Sequence, residues 1–248
     1  MSSQLLDKRE ERIRTMFGHI APYYDFLNHF LSCNIDRYWR WRTTRLAPPE
    51  VGPEAAPILD CCTGTGDLAL AYDRAAGGKV PIIGTDFCLP MLVPAVRKAQ
   101  RSKAQDRIRF LEADTQNLPF PANQFQLVTV AFGLRNVTDT DRGLAEMVRV
   151  CRPGGRVAIL EFSRPRNWFF GPLYQLYFRY VLPLIGQLVS RSRDKAYSYL
   201  PASVLQFPDG EALAERLRQH GLEQVRYYPM TLGIATLYVG TKPALGKG

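Results

Sequence analysis

Between residues 57 and 162 the sequence alternates short apolar runs with longer polar or amphipathic stretches. Such runs are typical of strands buried on both faces, and the stretches between them are typical of helices that connect parallel strands. The alternation predicts an α/β fold with a doubly wound, mostly parallel sheet, in which a helix follows each of the first four strands. The runs are PILDCC (57–62), VPIIGTD (80–86), RIRFLEAD (107–114), FQLVTVAF (125–132) and RVAILEF (156–162).

The C-terminal half adds the remaining elements of a seven-stranded sheet. The fourth helix is predicted over 139–155, with Asp139 or Thr140 as its N-cap and two consecutive glycines at its end. Two late apolar runs, 222–231 and 233–242, are separated by a single residue. This short connection predicts an antiparallel hairpin that closes one edge of the sheet.

We expect residues 1–248 to form a single domain with four parts. The parts are an N-terminal helical cover (1–48), a ligand-binding core (57–162), a helical and aromatic insertion (163–200), and a C-terminal helix and hairpin (201–242). Because no apolar run reaches the roughly 18 residues of a membrane span and the N-terminal stretch is charged, we expect a cytoplasmic protein, or one peripheral to the inner membrane face.

The composition indicates an anionic partner and no metal. Lys and Arg number 32 against 23 Asp and Glu, a net charge of +9, which favours nucleic acid, a phosphate-bearing ligand or an anionic lipid surface. The five cysteines lack C-x-x-C spacing, so reduced thiols are expected. The three histidines lack the spacing of metal ligands, so no metal site is expected.

A glycine-rich loop follows the first predicted strand in the segment LDCCTGTGDLAL. Gly64 and Gly66 let the backbone approach a ligand, and Asp86, 20 residues past Gly66, ends the next strand where it can accept ribose hydroxyls. The loop also fits the turn of nicotinamide-binding proteins, with Ala69 as its last residue. Asp60, however, would repel a pyrophosphate and attract a sulfonium or an α-amino group.

With Asp114 at the end of the third strand, followed by LPFP (118–121), this pattern resembles the class I S-adenosylmethionine-dependent methyltransferases. The resemblance implies S-adenosylmethionine as the cofactor, with Asp86 at its ribose. It further implies that the methionine end contacts Asp60, Gly64, Thr65 and Gly66, and that the adenine contacts Asp114 and Thr115.

Longer motifs narrow the resemblance. They include MFGHIAPYYDFLNHFLSCNIDRYWR (16–40), TDFCLPML (85–92), AFGLRNVTD (131–139), EMVRVCRPGGRVAILEFSRP (146–165), DKAYSYLPASVLQFP (194–208) and TLGIATLYVG (231–240). From about Arg14 to Thr241 the chain resembles the ubiquinone/menaquinone biosynthesis C-methyltransferases. Ala131, which is placed at the cofactor, and Tyr238 depart from the family, which often has Ser or Thr at the first position and usually has His at the second.

The family resemblance implies C-methylation of a prenylated quinol ring. Demethylmenaquinol is favoured, because the pair Cys61-Cys62 resembles menaquinone-pathway members. A ubiquinone-pathway benzoquinol, demethylphylloquinol or another small molecule are the alternatives. A nicotinamide-dependent oxidoreductase is disfavoured by Asp60. A nucleic-acid methyltransferase is disfavoured because AFGLRN stands where enzymes acting on base amines carry a Pro-Pro-aromatic motif. Intact cofactor acids disfavour a non-enzymatic membrane-surface protein.

Ring methylation requires the reduced quinol, because an oxidised quinone ring is electrophilic. Arg135 is predicted to stabilise the phenolate or to orient a water that takes its proton, and Asn136 to hydrogen-bond the second ring oxygen. Tyr24 and Asp25, each with a polar i+4 neighbour on an N-terminal helix, are predicted to reach the ring from above.

The stretch 162–200 carries ten aromatic residues and a net charge of +5. An apolar, aromatic and basic segment of this kind suits the interface of an anionic bilayer and the entrance for an isoprenoid tail. We therefore expect a prenylated quinol and an anionic membrane surface as partners, no nucleic acid, and a homodimer as a further option.

Overall fold

The computed structural model describes residues 10–21, 23–166 and 196–244. Its strands are β1 (Ile58–Cys61), β2 (Ile82–Asp86), β3 (Ile108–Glu112), β4 (Phe125–Ala131), β5 (Cys151–Phe162), β6 (Glu223–Met230) and β7 (Ala235–Thr241). The described helices are α1 (Glu10–Ile20), α2 (Tyr24–Leu31), α3 (Ile35–Leu46), α4 (Asp67–Ala75), α5 (Leu89–Arg101), α6 (Thr140–Val150), α7 (Ala196–Gln206) and α8 (Glu211–Gln219).

The seven strands form one sheet in the order β3-β2-β1-β4-β5-β7-β6. The first five strands are parallel, and β7 runs antiparallel to both β5 and β6. The predicted doubly wound, mostly parallel seven-stranded sheet is therefore confirmed. The order reverses between β1 and β4, which is where sheets of this kind open a crevice at the carboxyl ends of their strands.

Neighbouring residues of the central strands pack into two different hydrophobic clusters. The cluster on one face includes side chains of α4, and the cluster on the other includes side chains of α6 and α8. A strand buried on both faces needs apolar residues at consecutive positions, which explains the unbroken apolar runs of the sequence. The pairs that divide in this way are Ile58 and Leu59, Leu127 and Val128, and Ala158 and Ile159.

The prediction of a helix after the third strand is wrong. The described chain passes from β3 to β4 through turns alone over residues 113–124. Pro119 and Pro121 lie in this connection, and each removes a backbone donor and fixes φ, which opposes a helix in so short a segment. The connection instead begins at the carboxyl edge of the sheet with Asp114 and Thr115 and returns to the amino end of β4 without a helix.

The fourth predicted helix ends earlier than its two glycines indicate. α6 ends at Val150, and β5 begins at Cys151, which pairs with Phe125 of β4. On the other side, the backbone N–H of Gly154 donates to the carbonyl of Lys242 over 2.9 Å. Both neighbouring strands thus hold this segment as a strand, and long-range pairing outweighs the local helix-ending signal.

Two local predictions are confirmed. Asp139 is the N-cap of α6, and its carboxylate accepts a hydrogen bond from the backbone N–H of Arg142 at 3.0 Å. β6 and β7 form the expected antiparallel hairpin, although a turn over Thr231–Gly233 connects them rather than a single residue.

The N-terminal helices lie over the carboxyl edge of the sheet. Trp39 of α3 is buried, packs against Phe132 and Phe162, and donates a hydrogen bond to Thr231 Oγ1 over 2.8 Å. These three partners follow or end β4, β5 and β6, so α3 is fixed to the strand ends directly. The predicted helical cover is thereby present over its described part.

Most of the predicted insertion lies outside the described residues, which include its beginning, to residue 166, and the start of α7. In the part of the chain that is described, no helix has both the length and the apolar character required to cross a bilayer.

Lys242, directly after β7, closes the junction between α6 and β5. Its ammonium group donates hydrogen bonds of 2.8 Å to the carbonyls of Val148 and Cys151, and a third of 2.8 Å to Asn123 Oδ1. The carbonyls at the end of a helix lack intrahelical donors. The side chain from the last strand therefore satisfies groups that α6 leaves open.

We predict that Lys242→Met lowers the free energy of unfolding by about 1.5–3 kcal/mol, the range for hydrogen bonds to a charged group. Urea denaturation measures this change, and Lys79→Met, at an exposed site, is the matched control and should shift stability by less than about 0.5 kcal/mol. Equal effects of the two substitutions would contradict the assigned role of Lys242.

Candidate functional site

A cavity opens at the carboxyl ends of the parallel strands, below α1 and α2; we call it the inner cavity. The loops after β1, β2, β3 and β4 contribute to its walls, as expected for a doubly wound sheet. The predicted site residues that line it are Tyr24, Gly64, Asp86, Asp114, Thr115, Ala131 and Asn136. Those outside its lining are Asp25, Asp60, Thr65, Gly66 and Arg135.

The glycine-rich loop requires left-handed backbone at several positions. Gly64 and Gly66 have φ of +57° and +81°, and Cys62 has φ of +47° although it carries a side chain. A Cβ at Gly66 would stand 3.0 Å from the ring of Phe110, so this glycine serves close packing, whereas Gly64 faces the cavity. A Cβ at Gly133 would meet the Cβ of Cys62 at 2.4 Å, so Gly133 makes room for the cysteine.

Asp86 connects the end of β2 to this loop. Its carboxylate accepts hydrogen bonds from the backbone N–H of Gly64 at 2.8 Å and of Cys88 at 2.9 Å. Burial raises the pKa of Asp86 to about 6, and the two backbone donors oppose the rise. A carboxylate has about four lone-pair sites, so Asp86 keeps acceptor capacity for ligand hydroxyls in the cavity.

Asp114 and Thr115 form the opposite wall together with Gln116, which sequence reasoning missed. Asp114 Oδ1 accepts from the backbone N–H of Gln116 at 2.9 Å, and Gln116 Oε1 accepts from the N–H of Asp139 at 2.8 Å. Phe87 was also missed, although its position directly after Asp86 places it in the lining. Side chains from α1 carried no sequence signal for this role, because only tertiary packing brings them to the cavity.

Asp60 occupies a different place from its predicted contact with the methionine end. It is buried behind the loop, where it accepts hydrogen bonds from Thr63 Oγ1 at 2.6 Å and Thr129 Oγ1 at 2.9 Å. Burial raises its pKa to about 6, against the two hydroxyl hydrogen bonds. The geometry therefore makes Asp60 a support of the loop rather than part of the cavity wall.

Arg135 is buried at 6% exposure beside the cavity and pairs with Glu161, a residue that sequence reasoning missed. Its Nη1 donates to Glu161 Oε1 over 2.6 Å and to the carbonyl of Phe132, and its guanidinium lies 5.3 Å from the ring centroid of Phe162. The next residue, Asn136, does line the cavity, and its Oδ1 is buried with no hydrogen-bond partner among the described residues.

Tyr24 and Asp25 of α2 face different cavities. Tyr24 lines the inner cavity; burial raises the pKa of its phenol, whereas the nearby charges of Arg135 and Arg40 lower it. Asp25 points away, accepts a hydrogen bond from Thr65 Oγ1, and forms an ion pair of 2.7 Å with Lys98. Asp25 thus holds α2 on the glycine-rich loop.

The polar i+4 neighbours on α2 divide in the same way. Asn28 hydrogen-bonds the side chain of Tyr24. His29 Nδ1 lies 2.8 Å from Asp36 Oδ2, away from the inner cavity. The three groups His29, Asp36 and Asp67 lie close enough to hold a metal ion. However, Arg40 forms ion pairs with both carboxylates, which places a cation there already.

The free volume of the inner cavity is about 60 Å³. Ligand pockets for small molecules ordinarily enclose about 300–1,000 Å³. Ile13, Phe17 and Tyr24 close the cavity from the side of the cover. A nucleoside-sized ligand therefore requires α1 and α2 to move outward.

The sheet order with its antiparallel β7, the glycine-rich loop and the acids after β2 and β3 together define the class I methyltransferase fold. A SAM-dependent methyltransferase from Thermotoga maritima, described as a possible histamine N-methyltransferase, matches with a TM-score of 0.65 and 18% identity over 92% of this chain and 99% of that one. A SAM-dependent methyltransferase from Aquifex aeolicus matches with a TM-score of 0.59 and 16% identity over 82% of this chain and 88% of that one. At these identities the likeness shows the fold.

Residues 5–242 match the ubiE/COQ5 methyltransferase family, and the chain belongs to that family. It is 47% identical to a demethylmenaquinone methyltransferase of Thermus thermophilus, over 92% of this chain and 100% of the relative. It is 46% identical to the enzyme of the same name from Deinococcus radiodurans, over 95% of each chain. A ubiquinone/menaquinone biosynthesis C-methyltransferase UbiE of Geobacter sp. is 44% identical, over 96% of this chain and 99% of the relative. The predicted family resemblance and the interpretation as a methyltransferase are confirmed.

The raised pKa of Asp60 predicts a pH-dependent contribution to stability. The folded state favours the neutral acid, so the contribution is fully present below the unfolded pKa near 4 and is lost as pH rises through about 6. Relative to Asp60→Asn, the wild type should lose up to about 3 kcal/mol of unfolding free energy between pH 4 and pH 7.

Urea denaturation across this pH range measures the difference. Asp209→Asn is the control: burial alone would raise the pKa of Asp209, but hydrogen bonds from Arg164 hold that pKa below its ordinary value, so its contribution is lost only as pH falls below the ordinary range. The control difference should therefore stay constant from pH 5 to pH 7. A constant difference for Asp60→Asn as well would show that Asp60 is not held with a raised pKa.

Proposed function

We propose that this protein is an S-adenosylmethionine-dependent C-methyltransferase that methylates the ring of a prenylated quinol, with demethylmenaquinol as the first candidate substrate. The observation that carries the proposal is the similarity along nearly the full chain to two relatives named demethylmenaquinone methyltransferase. A ubiquinone-pathway benzoquinol is the second candidate, because relatives at 44% identity carry a name that covers both quinones.

S-adenosylmethionine is the cofactor whose parts match the groups that line the inner cavity, and α1 and α2 move outward to admit it. Gly64 presents bare left-handed backbone to the cavity, Asp86 offers free acceptor positions for ribose hydroxyls, and Asp114 with Thr115 forms the end assigned to adenine. When bound, this cofactor supplies an electrophilic methyl group on a sulfonium. Ala131 also lines the inner cavity, but its side chain cannot form a hydrogen bond. At this position the cofactor is therefore contacted by the methyl side chain and by backbone atoms.

Asn136 and Tyr24 are the groups placed to contact the quinol ring. The Oδ1 of Asn136 is buried and has no hydrogen-bond partner in the described part of the chain, so it can accept a hydrogen bond from a ring hydroxyl, which satisfies an oxygen that is otherwise costly to bury. Tyr24 brings a phenol to the same cavity. The reduced ring has hydroxyl groups to donate, whereas an oxidised quinone has none, so Asn136 favours the reduced substrate.

Arg135 acts on the ring through Tyr24 rather than by direct contact. Its guanidinium is outside the cavity lining and is held by Glu161, and its charge lowers the pKa of Tyr24 against the effect of burial. A cation beside Tyr24 favours negative charge on that side of the cavity, which is where a phenolate must form. We therefore assign Arg135 as a positioning residue and Glu161 as the group that orients it.

We place the protein at the inner, cytoplasmic face of an anionic membrane, because a prenylated quinol resides in the bilayer and the chain carries a net charge of +9. A homodimer stays a prediction. The outer edge of β6 has no neighbouring strand in the described sheet, so it is available for pairing with a second copy of the chain.

The proposed activity predicts methylation of demethylmenaquinol only when the ring is kept reduced, for example with dithionite. Mass analysis of the products from demethylmenaquinol and the benzoquinol, tested side by side, measures both reaction and preference. Asp86→Ala is the control for the cofactor site and should weaken cofactor binding by about 1.5–3 kcal/mol in calorimetry. Equal turnover of a quinone kept oxidised would refute the proposed substrate state.

For Arg135→Ala we predict a fall in kcat that is smaller than the roughly 10²-fold loss typical of a group in contact with an oxyanion, because Arg135 acts through Tyr24, with little change in cofactor affinity. This variant also leaves Glu161 buried without its partner, which destabilises the fold. The double variant Arg135→Met/Glu161→Met removes both charges and should recover stability in urea denaturation while kcat stays low. Recovery of kcat along with stability would make Arg135 purely structural.

A further inference from the structure

Two pairs of aromatic side chains are exposed on α2 and α3. Phe26 and Phe30 are 60% and 55% exposed, and their rings stack with centroids 5.9 Å apart and an interplanar angle of 11°. Tyr38 and Trp41 are 48% and 50% exposed, with centroids 5.9 Å apart. Single exposed apolar residues are ordinary on a protein surface, but adjacent exposed pairs form patches that indicate an interaction surface.

A groove of about 1040 Å³ lies beside the second pair, between α3, α4 and the end of α5; we call it the basic groove. Two of its cations, Arg40 and Lys98, are already paired with carboxylates at its floor. Four others are exposed and form no ion pair with any carboxylate in the described part of the chain. These four are Arg37, Arg45, Arg74 and Arg101.

Charge and aromatic character meet at the rim of this groove. Trp41 belongs to its lining, and the guanidinium of Arg45 lies 5.9 Å from the centroid of the Trp41 indole. Exposed arginines commonly form only a solvated surface. Here the four arginines line one concave groove, which concentrates their positive electrostatic potential. The indole of Trp41 lies beside them, and tryptophan is a side chain enriched at the interface between water and hydrocarbon.

We propose that α2, α3 and the basic groove form the surface by which this protein docks on an anionic bilayer. The arginines bind lipid phosphate groups in the groove, and the two aromatic pairs enter the headgroup region, the arrangement by which amphipathic surfaces bind anionic membranes. The residues of this surface are not those of the aromatic stretch 162–200 identified in the sequence.

The position of the surface relates it to the inner cavity, a step that rests on the proposed function. Asp25, which lines the basic groove, is adjacent in sequence to Tyr24, which lines the inner cavity. A protein docked through α2 and α3 therefore has α2, one of the two helices that close the inner cavity, against the membrane. A quinol ring can then reach Tyr24 while its prenyl tail stays in the bilayer.

The test is binding of the full chain to vesicles of phosphatidylcholine with and without phosphatidylglycerol, measured by flotation. The wild type should bind the anionic vesicles and lose binding at high salt. Because each basic residue near an anionic surface strengthens binding, Arg37→Gln/Arg45→Gln/Arg74→Gln should bind at least about tenfold more weakly. Phe30→Ser/Trp41→Ser should also bind more weakly while keeping its dependence on salt.

The matched control Arg109→Gln/Arg142→Gln/Arg226→Gln removes the same charge from exposed positions outside the groove. It should retain most of the binding, and an equal loss in both triple variants would overturn the proposal in favour of net charge alone. Competition by soluble glycerophosphate that abolishes vesicle binding would overturn it in favour of a site for a free phosphate ester.

Turnover of a short-tailed, water-soluble quinol distinguishes this proposal from the proposed function. The groove triple variant should methylate it at the wild-type rate, because its arginines lie outside the inner cavity. Absence of turnover in the wild type would refute the enzymatic assignment, whereas vesicle binding would still test the docking surface. A selective loss of vesicle binding with unchanged soluble turnover supports the surface.

Discussion

Two buried carboxylates hold the glycine-rich loop from opposite sides, and the whole site depends on this arrangement. On the side away from the inner cavity, Asp60 accepts a hydrogen bond from the hydroxyl of Thr63. On the cavity side, Asp86 accepts a hydrogen bond from the backbone N–H of Gly64. Burial raises the pKa of both acids, so each charge is retained at a cost that the loop's donors offset. These fixed acceptors therefore hold the loop in its left-handed backbone, at Cys62 as well as at its glycines.

Features encoded by neighbouring residues could be read from the sequence, and features created by distant pairing could not. Apolar runs revealed the central strands because these are buried on both faces of the sheet, and Asp139 revealed the start of α6 because a cap acts locally. The first residues of β5, from Cys151 to Gly155, were hidden, because their pairing partners lie on β4 and after β7. Local helix signals alone could not predict that outcome.

The residues of the candidate site likewise include some that the sequence could reveal and some that it could not. Gly64, Asp86 and Asp114 follow strands directly, so the topology of the sheet is sufficient to bring them together. Glu161 and Lys98 escaped notice because their roles come from partners far along the chain, Arg135 and Asp25. A charged residue inside a strand or late in a helix gives no sign of which residue it pairs with.

The adjacent residues Tyr24 and Asp25 of α2 face two separate cavities for a simpler reason, since consecutive helical positions point about 100° apart.

The closure of the α6–β5 junction by Lys242 has a consequence for how this chain is made. The ribosome synthesises β5 long before β7, so β5 emerges with one edge unpaired and with the carbonyls at the end of α6 unsatisfied. An open strand edge in the middle of a hydrophobic sheet is a site for wrong pairing and aggregation. The nascent domain therefore depends on protection at that edge until its latest strand arrives, and completion of the fold is tied to the end of synthesis of that strand.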